Sequence, residues 1–142
     1  MMSVTEMLLD LPARRRALLD HGTTLLVEAG AGSGKTALMA GRVALMLGDG
    51  VPTRDVVAIT FTEAAASELR ERIESIVHRL SRADIPDELR DALPSGLSDH
   101  QSLAISAAYL TLDELTCTTI HGFCQQLVKP YPVEAGIDPG AT

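Results

Sequence analysis

Aromatic residues are almost missing from this chain, with two Phe, two Tyr and no Trp among 142 residues. Its core must therefore be built from Leu, Val, Ile and Ala. Cysteine is scarce as well. The only two, Cys117 and Cys124, do not make a disulfide framework and fit a reducing cytoplasm. No apolar run is long enough to span a membrane, and no basic stretch leads into an apolar segment and cleavage site at the start, so no secretory signal is read. What remains is a soluble, globular, cytoplasmic class, with 46% hydrophobic and 22% charged residues. The length allows one domain with a modest core. Positive charge is also short, the formal net charge being −7. Taken alone that argues against a nucleic-acid binder. A phosphate-contacting groove needs only local positive charge, however, so composition carries no argument about DNA in either direction.

Against these absences stands one dense signal. The apolar run Leu25-Leu26-Val27 leads into Glu28-Ala29-Gly30-Ala31-Gly32-Ser33-Gly34-Lys35-Thr36. Backbone N–H groups converge on a polyphosphate only where the chain bends tightly, which favours glycine. A helix that follows adds its unpaired N–H groups and the positive end of its dipole. In such a loop Lys35 reaches the β- and γ-phosphates, and the Thr36 hydroxyl ligates Mg²⁺. One departure is visible, since Ala29 replaces the first glycine of the usual G-x-x-x-x-G-K-[ST] pattern. The competing reading is a glycine-rich turn between a strand and a helix with no ligand.

The rest of the chain alternates strand and helix. A short helix is expected over 12–20, with Arg14, Arg15 and Arg16 opposite Leu18 and Leu19. Thr24–Glu28 reads as a first buried strand, and 34–47 as a helix with Leu38, Val43, Leu45 and Met46 apolar, stopped by Gly48-Asp49-Gly50. Residues 51–54 form a loop. Asp55–Thr60 is a second strand, and Thr62 is the N-cap of a long helix to about Ser81. That helix carries the stripe Ala65, Ala66, Leu69, Ile73, Ile76, Val77 and Leu80. Residues 82–115 read as a small helical insertion, including a helix over 99–112. Thr116–Thr118 is a third strand, and 120–129 a last helix before an extended, turn-rich tail over 131–142. The pattern implies an α/β fold, a parallel sheet with helices on both faces. The P-loop core would span about 12–81 and 116–130.

Two further motifs lie at strand ends, the edge where open α/β sheets bind ligands. One is Ile59-Thr60-Phe61-Thr62-Glu63-Ala64-Ala65-Ala66-Ser67-Glu68-Leu69-Arg70-Glu71-Arg72-Ile73, and the other Thr118-Thr119-Ile120-His121-Gly122-Phe123-Cys124. Both Phe residues fall in them. An aromatic flanked by hydroxyls can stack a base and hold a phosphate.

Together the three blocks resemble motifs I, Ia and Ib of superfamily-one DNA helicases of the UvrD/Rep type. In detail they are most similar to the RecB/AddA branch of helicase–nuclease subunits. The resemblance implies a RecA-like P-loop NTPase motor domain with ATP and Mg²⁺ as ligands, single-stranded DNA across the sheet edge, and a place in recombinational repair. It implies nucleotide contacts from Ala29 to Thr36, Mg²⁺ at Thr36, and DNA-facing positions at Phe61, Thr62, Thr119 and His121. Relatives of this type carry a glutamine upstream of the P-loop that reads the adenine edge. Ungapped alignment puts Arg14 there, where a guanidinium would stack on the base or stay solvated.

No Asp-Glu pair follows a buried strand, so the carboxylates that hold Mg²⁺ and orient the attacking water are not read here. Asp113-Glu114 precedes a strand and reads as a helix end. The expectation is therefore an N-terminal fragment of a longer helicase polypeptide, poorly competent alone, whose partners are the rest of that polypeptide, single-stranded DNA and a helicase–nuclease complex. The alternative is a non-motor P-loop nucleotide-binding protein, such as a small nucleotide kinase or a regulatory module. Cys117, His121 and Cys124 have a zinc-like spacing with no fourth ligand nearby, so buried thiols are the expected reading. Arg70, Arg72, Arg79 and Arg82, alternating with Glu68, Glu71 and Glu74, are expected to form a solvated face with i,i+4 pairs.

Overall fold

The computed structural model describes residues 4–28 and 34–129. In chain order these form α1 (Val4–Leu19), α2 (Lys35–Gly48), β1 (Val57–Thr60), α3 (Glu63–Ser81), α4 (Asp99–Leu110), β2 (Thr116–Thr119) and α5 (Ile120–Val128). Single 3-10 turns lie at Thr53–Asp55, Asp87–Leu89 and Leu112–Glu114. The architecture mixes helices with a small parallel sheet. β1 and β2 pair with Val57 opposite Thr116 and Thr60 opposite Thr119, so both strands end at one edge. Parallel strands need a long crossover, and α3 and α4 supply it.

The long helix forms where the apolar spacing requires. Thr62 Oγ1 accepts the Ala65 N–H at 3.1 Å, satisfying one of the orphan donors of the first turn. Ala66, Leu69, Ile73, Ile76, Val77 and Leu80 turn inward. They meet Leu45 and Leu47 of α2, Ile105 of α4 and Leu89 in one aliphatic core. Residues 82–115 thus feed the same core as the rest. α4 begins with a reciprocal capping box, Ser98 and Gln101 each satisfying the other's backbone N–H. Of the charged face of α3, Arg72 pairs with Glu68 at 3.5 Å and Arg70 with Glu74 at 4.0 Å. Arg70 also donates to the Leu115 carbonyl at 2.7 Å, so it pins the approach to β2 as well as facing solvent.

The helix ends in a strained turn. Ala83 has φ +58°, in the left-handed region. Arg79 closes over it, donating to both Asp84 carboxylate oxygens at 2.8 and 3.1 Å. The hydrogen bond from Arg79 holds the Asp84 carboxyl below its ordinary range.

One face of the sheet is covered. Ala58 is buried, and its register neighbour Cys117 donates its thiol to the Ala66 carbonyl of α3 at 3.2 Å. On β1 the alternate residues Val57 and Ile59 stay 45% and 39% exposed.

Three expectations need correction. Thr24–Glu28 is neither a strand nor buried. It has no ladder partner among the described residues, and Leu26 is 87% exposed. Apolar composition alone does not make a strand, because the backbone must find a paired edge. The first helix starts at Val4 rather than Pro12, and passes through that proline. Proline is favoured at a helix start and disfavoured inside, so the local signal points to the wrong boundary. Finally, the loop after α2 holds a 3-10 turn over Thr53–Asp55, and the strand behind it shortens to Val57–Thr60. The tail over 131–142 lies outside the described residues.

Candidate functional site

The start of α2 is an open helix N-terminus. Gly34 has φ +83°, a conformation that costs a residue with a Cβ, and it passes the chain directly into the helix. Its carbonyl accepts the Leu38 N–H at 2.9 Å. No side chain caps this end, and the first turn carries no acidic residue. The N–H groups of Lys35, Thr36 and Ala37 precede the first intrahelical donor and so have no acceptor within the helix. Lys35 is exposed at the helix start and Thr36 is half-buried. Ala29, Gly30, Ala31, Gly32 and Ser33 lie outside the described residues.

α1 and α2 run side by side in the same sense, fixed at several levels. Arg42 of α2 donates to the Ala17 carbonyl at 2.6 Å. Leu18 lies against Gly41, where an added Cβ would meet the Leu18 and Leu89 methyls at 2.9 and 3.0 Å. His21 bridges the Leu18 carbonyl and the Asp49 carboxylate, each at 2.6 Å. One turn upstream, Arg14 arrives level with Gly34. Its Nη2 lies 3.8 Å from where a Cβ on Gly34 would sit. Arg15 and Arg16 are exposed, and Arg16 is paired with Asp20 at 3.4 Å. Burial works against ionisation of Asp20, but hydrogen bonds from Arg16, Thr23 and the Gly22 backbone outweigh it and lower its carboxyl from the ordinary value.

Between α1 and α2 lies a cavity of about 260 Å³ lined by Ala17, Leu25, Val27, Leu38 and Met39, with Lys35 and Arg42 at its polar side. Leu25 and Val27 share one side of the extended segment, as residues two apart do.

A second group sits on the shared strand edge. Phe61 follows β1 and is 91% exposed. His121, one residue past the start of α5, is also exposed. The two hydroxyls expected beside them have other partners. Thr62 Oγ1 caps α3. Thr119 Oγ1 is buried, accepts the Gly122 N–H at 3.0 Å and donates to Glu63 Oε1 at 3.4 Å. Two helix N-termini therefore stand side by side, with the Glu63 carboxylate between them. Gly122 matters to this packing, since a Cβ there would collide with Thr118 Oγ1 and lie 3.3 Å from Thr119 Oγ1. Sequence reasoning passes over the roles of Glu63 and Gly122. The available signals are an acid in the first turn of a capped helix and a glycine directly after a strand end.

Among the described residues no group of three or more His, Cys, Asp or Glu is arranged to hold a metal ion. Burial pushes the Cys117 thiol up, and its hydrogen bond to a carbonyl suits a protonated sulfur. Cys124 is exposed, so only one of the two thiols is covered. No helix among the described residues is long and apolar enough to cross a membrane.

Comparison with known proteins gives a consistent result. The family model described as the UvrD/REP helicase N-terminal domain matches residues 11–142. An ATP-dependent helicase/nuclease subunit of Ligilactobacillus salivarius is 36% identical over 133 residues, covering 90% of this chain and 9% of that protein. The RecBCD enzyme subunit RecB of Mycolicibacterium smegmatis is 37% identical over 147 residues, covering 99% of this chain and 13% of that protein. The ATP-dependent DNA helicase UvrD1 of Mycobacterium tuberculosis is 47% identical over 72 residues, covering 50% of this chain and 9% of that protein. The chain thus spans roughly a tenth of the length of these relatives.

Proposed function

The chain belongs to the UvrD/REP helicase N-terminal family, and from that premise we propose that it is the ATP-binding portion of an ATP-dependent DNA helicase, working in the cytoplasm on DNA under repair. The finer fold reading, a RecA-like sheet with helices on both faces and the helical segment 82–115 inserted in it, belongs to this proposal. The observation that carries the nucleotide reading is the open N-terminus of α2. Gly34, Lys35 and Thr36 close the loop signature where uncapped N–H groups and the helix dipole converge and the first turn carries no carboxylate.

In this reading the backbone N–H groups from Ala29 to Thr36 cradle the phosphates, and Lys35 supplies the positive charge that holds the β- and γ-phosphates. Thr36 is the protein's ligand for Mg²⁺, whose part is to neutralise charge on the phosphate oxygens. Phe61 and His121 offer an exposed ring and an imidazole at one sheet edge for a single DNA strand. Thr62 and Thr119 act there by capping α3 and α5 with their hydroxyl oxygens, which fixes the edge. The two helix N-termini at that edge suit a phosphate backbone, while Glu63 limits how close it comes. Partners on this reading are single-stranded DNA, the remainder of a helicase polypeptide, and a helicase–nuclease assembly.

Calorimetry with a non-hydrolysable ATP analogue and Mg²⁺ tests the central step. Lys35→Ala is expected to abolish binding and to leave thermal unfolding unchanged, because Lys35 is exposed. Unchanged affinity would remove the nucleotide reading.

A further inference from the structure

We propose that Glu63 makes the strand-end edge selective for single-stranded over duplex DNA, by offsetting the pull of two helix ends on phosphate. The inference rests on the DNA reading above and concerns the same edge. β1 and β2 run parallel and in register, and they stop together at Thr60 and Thr119. Each passes almost at once into a helix, so the N-termini of α3 and α5 emerge at one place. The Glu63 carboxylate is shared between them. It belongs to the first turn of α3, directly after the Thr62 cap. It also accepts the Thr119 hydroxyl at 3.4 Å, and that hydroxyl oxygen accepts the Gly122 N–H of α5 at 3.0 Å. α5 has no acid in its own first turn.

The charges are of matching size. A helix N-terminus carries roughly half a positive charge, so two of them come to about one. The single negative charge of Glu63 offsets that. Nothing else in the two turns restores it, because residues 60–66 and 118–124 contain no Lys or Arg and Glu63 is their one carboxylate. A phosphate arriving at this edge therefore meets little net attraction. A base meets the Phe61 ring, 91% exposed, with His121 exposed on the same edge. A single strand can turn its bases inward and gain stacking. A duplex keeps its bases paired and presents phosphates, so it gains nothing here. Withholding attraction from the wrong partner is as good a source of selectivity as adding it for the right one.

The test is fluorescence anisotropy of this chain with a labelled oligothymidylate and with a blunt duplex of the same length. The wild type is expected to hold the single strand about tenfold or more tighter than the duplex. Glu63→Gln keeps an oxygen to accept from Thr119 and removes the charge. It is expected to tighten the duplex by about threefold to tenfold and to move the single strand by less than about twofold. Its duplex affinity should also fall more steeply with salt, as a phosphate contact is gained. Glu63→Asp keeps the charge and is expected to retain the wild-type selectivity within about twofold. Circular dichroism shows whether each variant is folded. A second measurement needs no variant: an oligothymidylate with uncharged methylphosphonate linkages is expected to bind the wild type within about threefold of the natural strand. Unchanged duplex affinity in Glu63→Gln overturns the proposal. So does an equal gain on both DNAs, or a loss of about tenfold with the methylphosphonate strand. Failure of the underlying reading looks different: the wild type binds neither DNA, or Phe61→Ala holds the single strand as tightly as the wild type.

Discussion

Two regions of this molecule, adjacent in sequence, obey different rules. In the body, α2, α3 and α4 enclose Leu45, Leu69, Ile73, Val77, Leu89 and Ile105 with almost no exposure. Each apolar position there follows helical spacing and finds its partner within the chain. In the approach to the phosphate loop, residues 24–28 are just as apolar, yet Leu26 is 87% exposed and the backbone joins no sheet among the described residues. A helix satisfies its own backbone, so an amphipathic stripe needs only something apolar to cover it. A strand must also be given an edge to pair with. Stability therefore resides in the helical body, while the segment that leads into the glycine-rich motif contributes little to it.

The strongest way to break this contrast is to empty the body. Ile73→Ala removes a fully buried side chain and is expected to cost about 2–5 kcal/mol, read as a shift in the urea midpoint. A loss below about 1 kcal/mol would mean that the body is loosely packed. Next comes Gly122→Ala at the sheet edge. The added methyl strikes the Thr118 hydroxyl, and overpacking of this kind costs about 1–3 kcal/mol. The same denaturant titration checks it, and an unchanged midpoint would mean that α5 shifts freely on the strand.

Phe61→Ala addresses the edge without touching the core. Stacking on an aromatic is worth roughly 1–3 kcal/mol per base, so single-strand affinity in the polypeptide that carries this segment is expected to fall about tenfold or more. Folding stability and ATP affinity without DNA should not move, since the ring is already in solvent. A smaller, favourable effect is expected from Ala83→Gly. It relieves a left-handed residue at the end of α3, worth about 1–2 kcal/mol, less about 0.4–1 kcal/mol for the freer unfolded chain. Differential scanning calorimetry should show a slight rise in melting temperature, and a fall would show that the Arg79–Asp84 closure depends on the methyl. Smallest of all is Leu26→Ser, expected to stay within about 0.5 kcal/mol. A cost several times larger would show that the segment is buried as a strand, erasing the contrast.

What is legible in the sequence follows the same division. The stripe of α3, its Thr62 cap, its end at Ser81 and the end of β1 at Thr60 are all readable, because each is dictated by local spacing or a single capping hydroxyl, while β2 runs one residue past the expected Thr118. The start of α1 is not, since Pro12 is a stronger signal than the ordinary residues before it. A strand at 24–28 is suggested by composition and not found, because pairing is a tertiary event. In the candidate site, the motif flags Lys35 and Thr36, and the structure puts them in the first turn of α2. The engagement of Thr119 is hidden, since it depends on Glu63 from an element 56 residues away. The position of Arg14 is half readable. Its distance along the chain flags it, but only the packing of α1 on α2 brings it to Gly34.

The unlike surroundings of the two cysteines give the molecule an addressable handle. Cys117 is covered by α3, its thiol raised by burial and committed to the Ala66 carbonyl, while Cys124 stands open on α5 three residues beyond His121. A maleimide dye offered at neutral pH should couple to Cys124 and leave Cys117 intact. The chain thus carries, without any engineering, a single-site optical reporter one helical turn from the edge where a nucleic-acid strand would arrive.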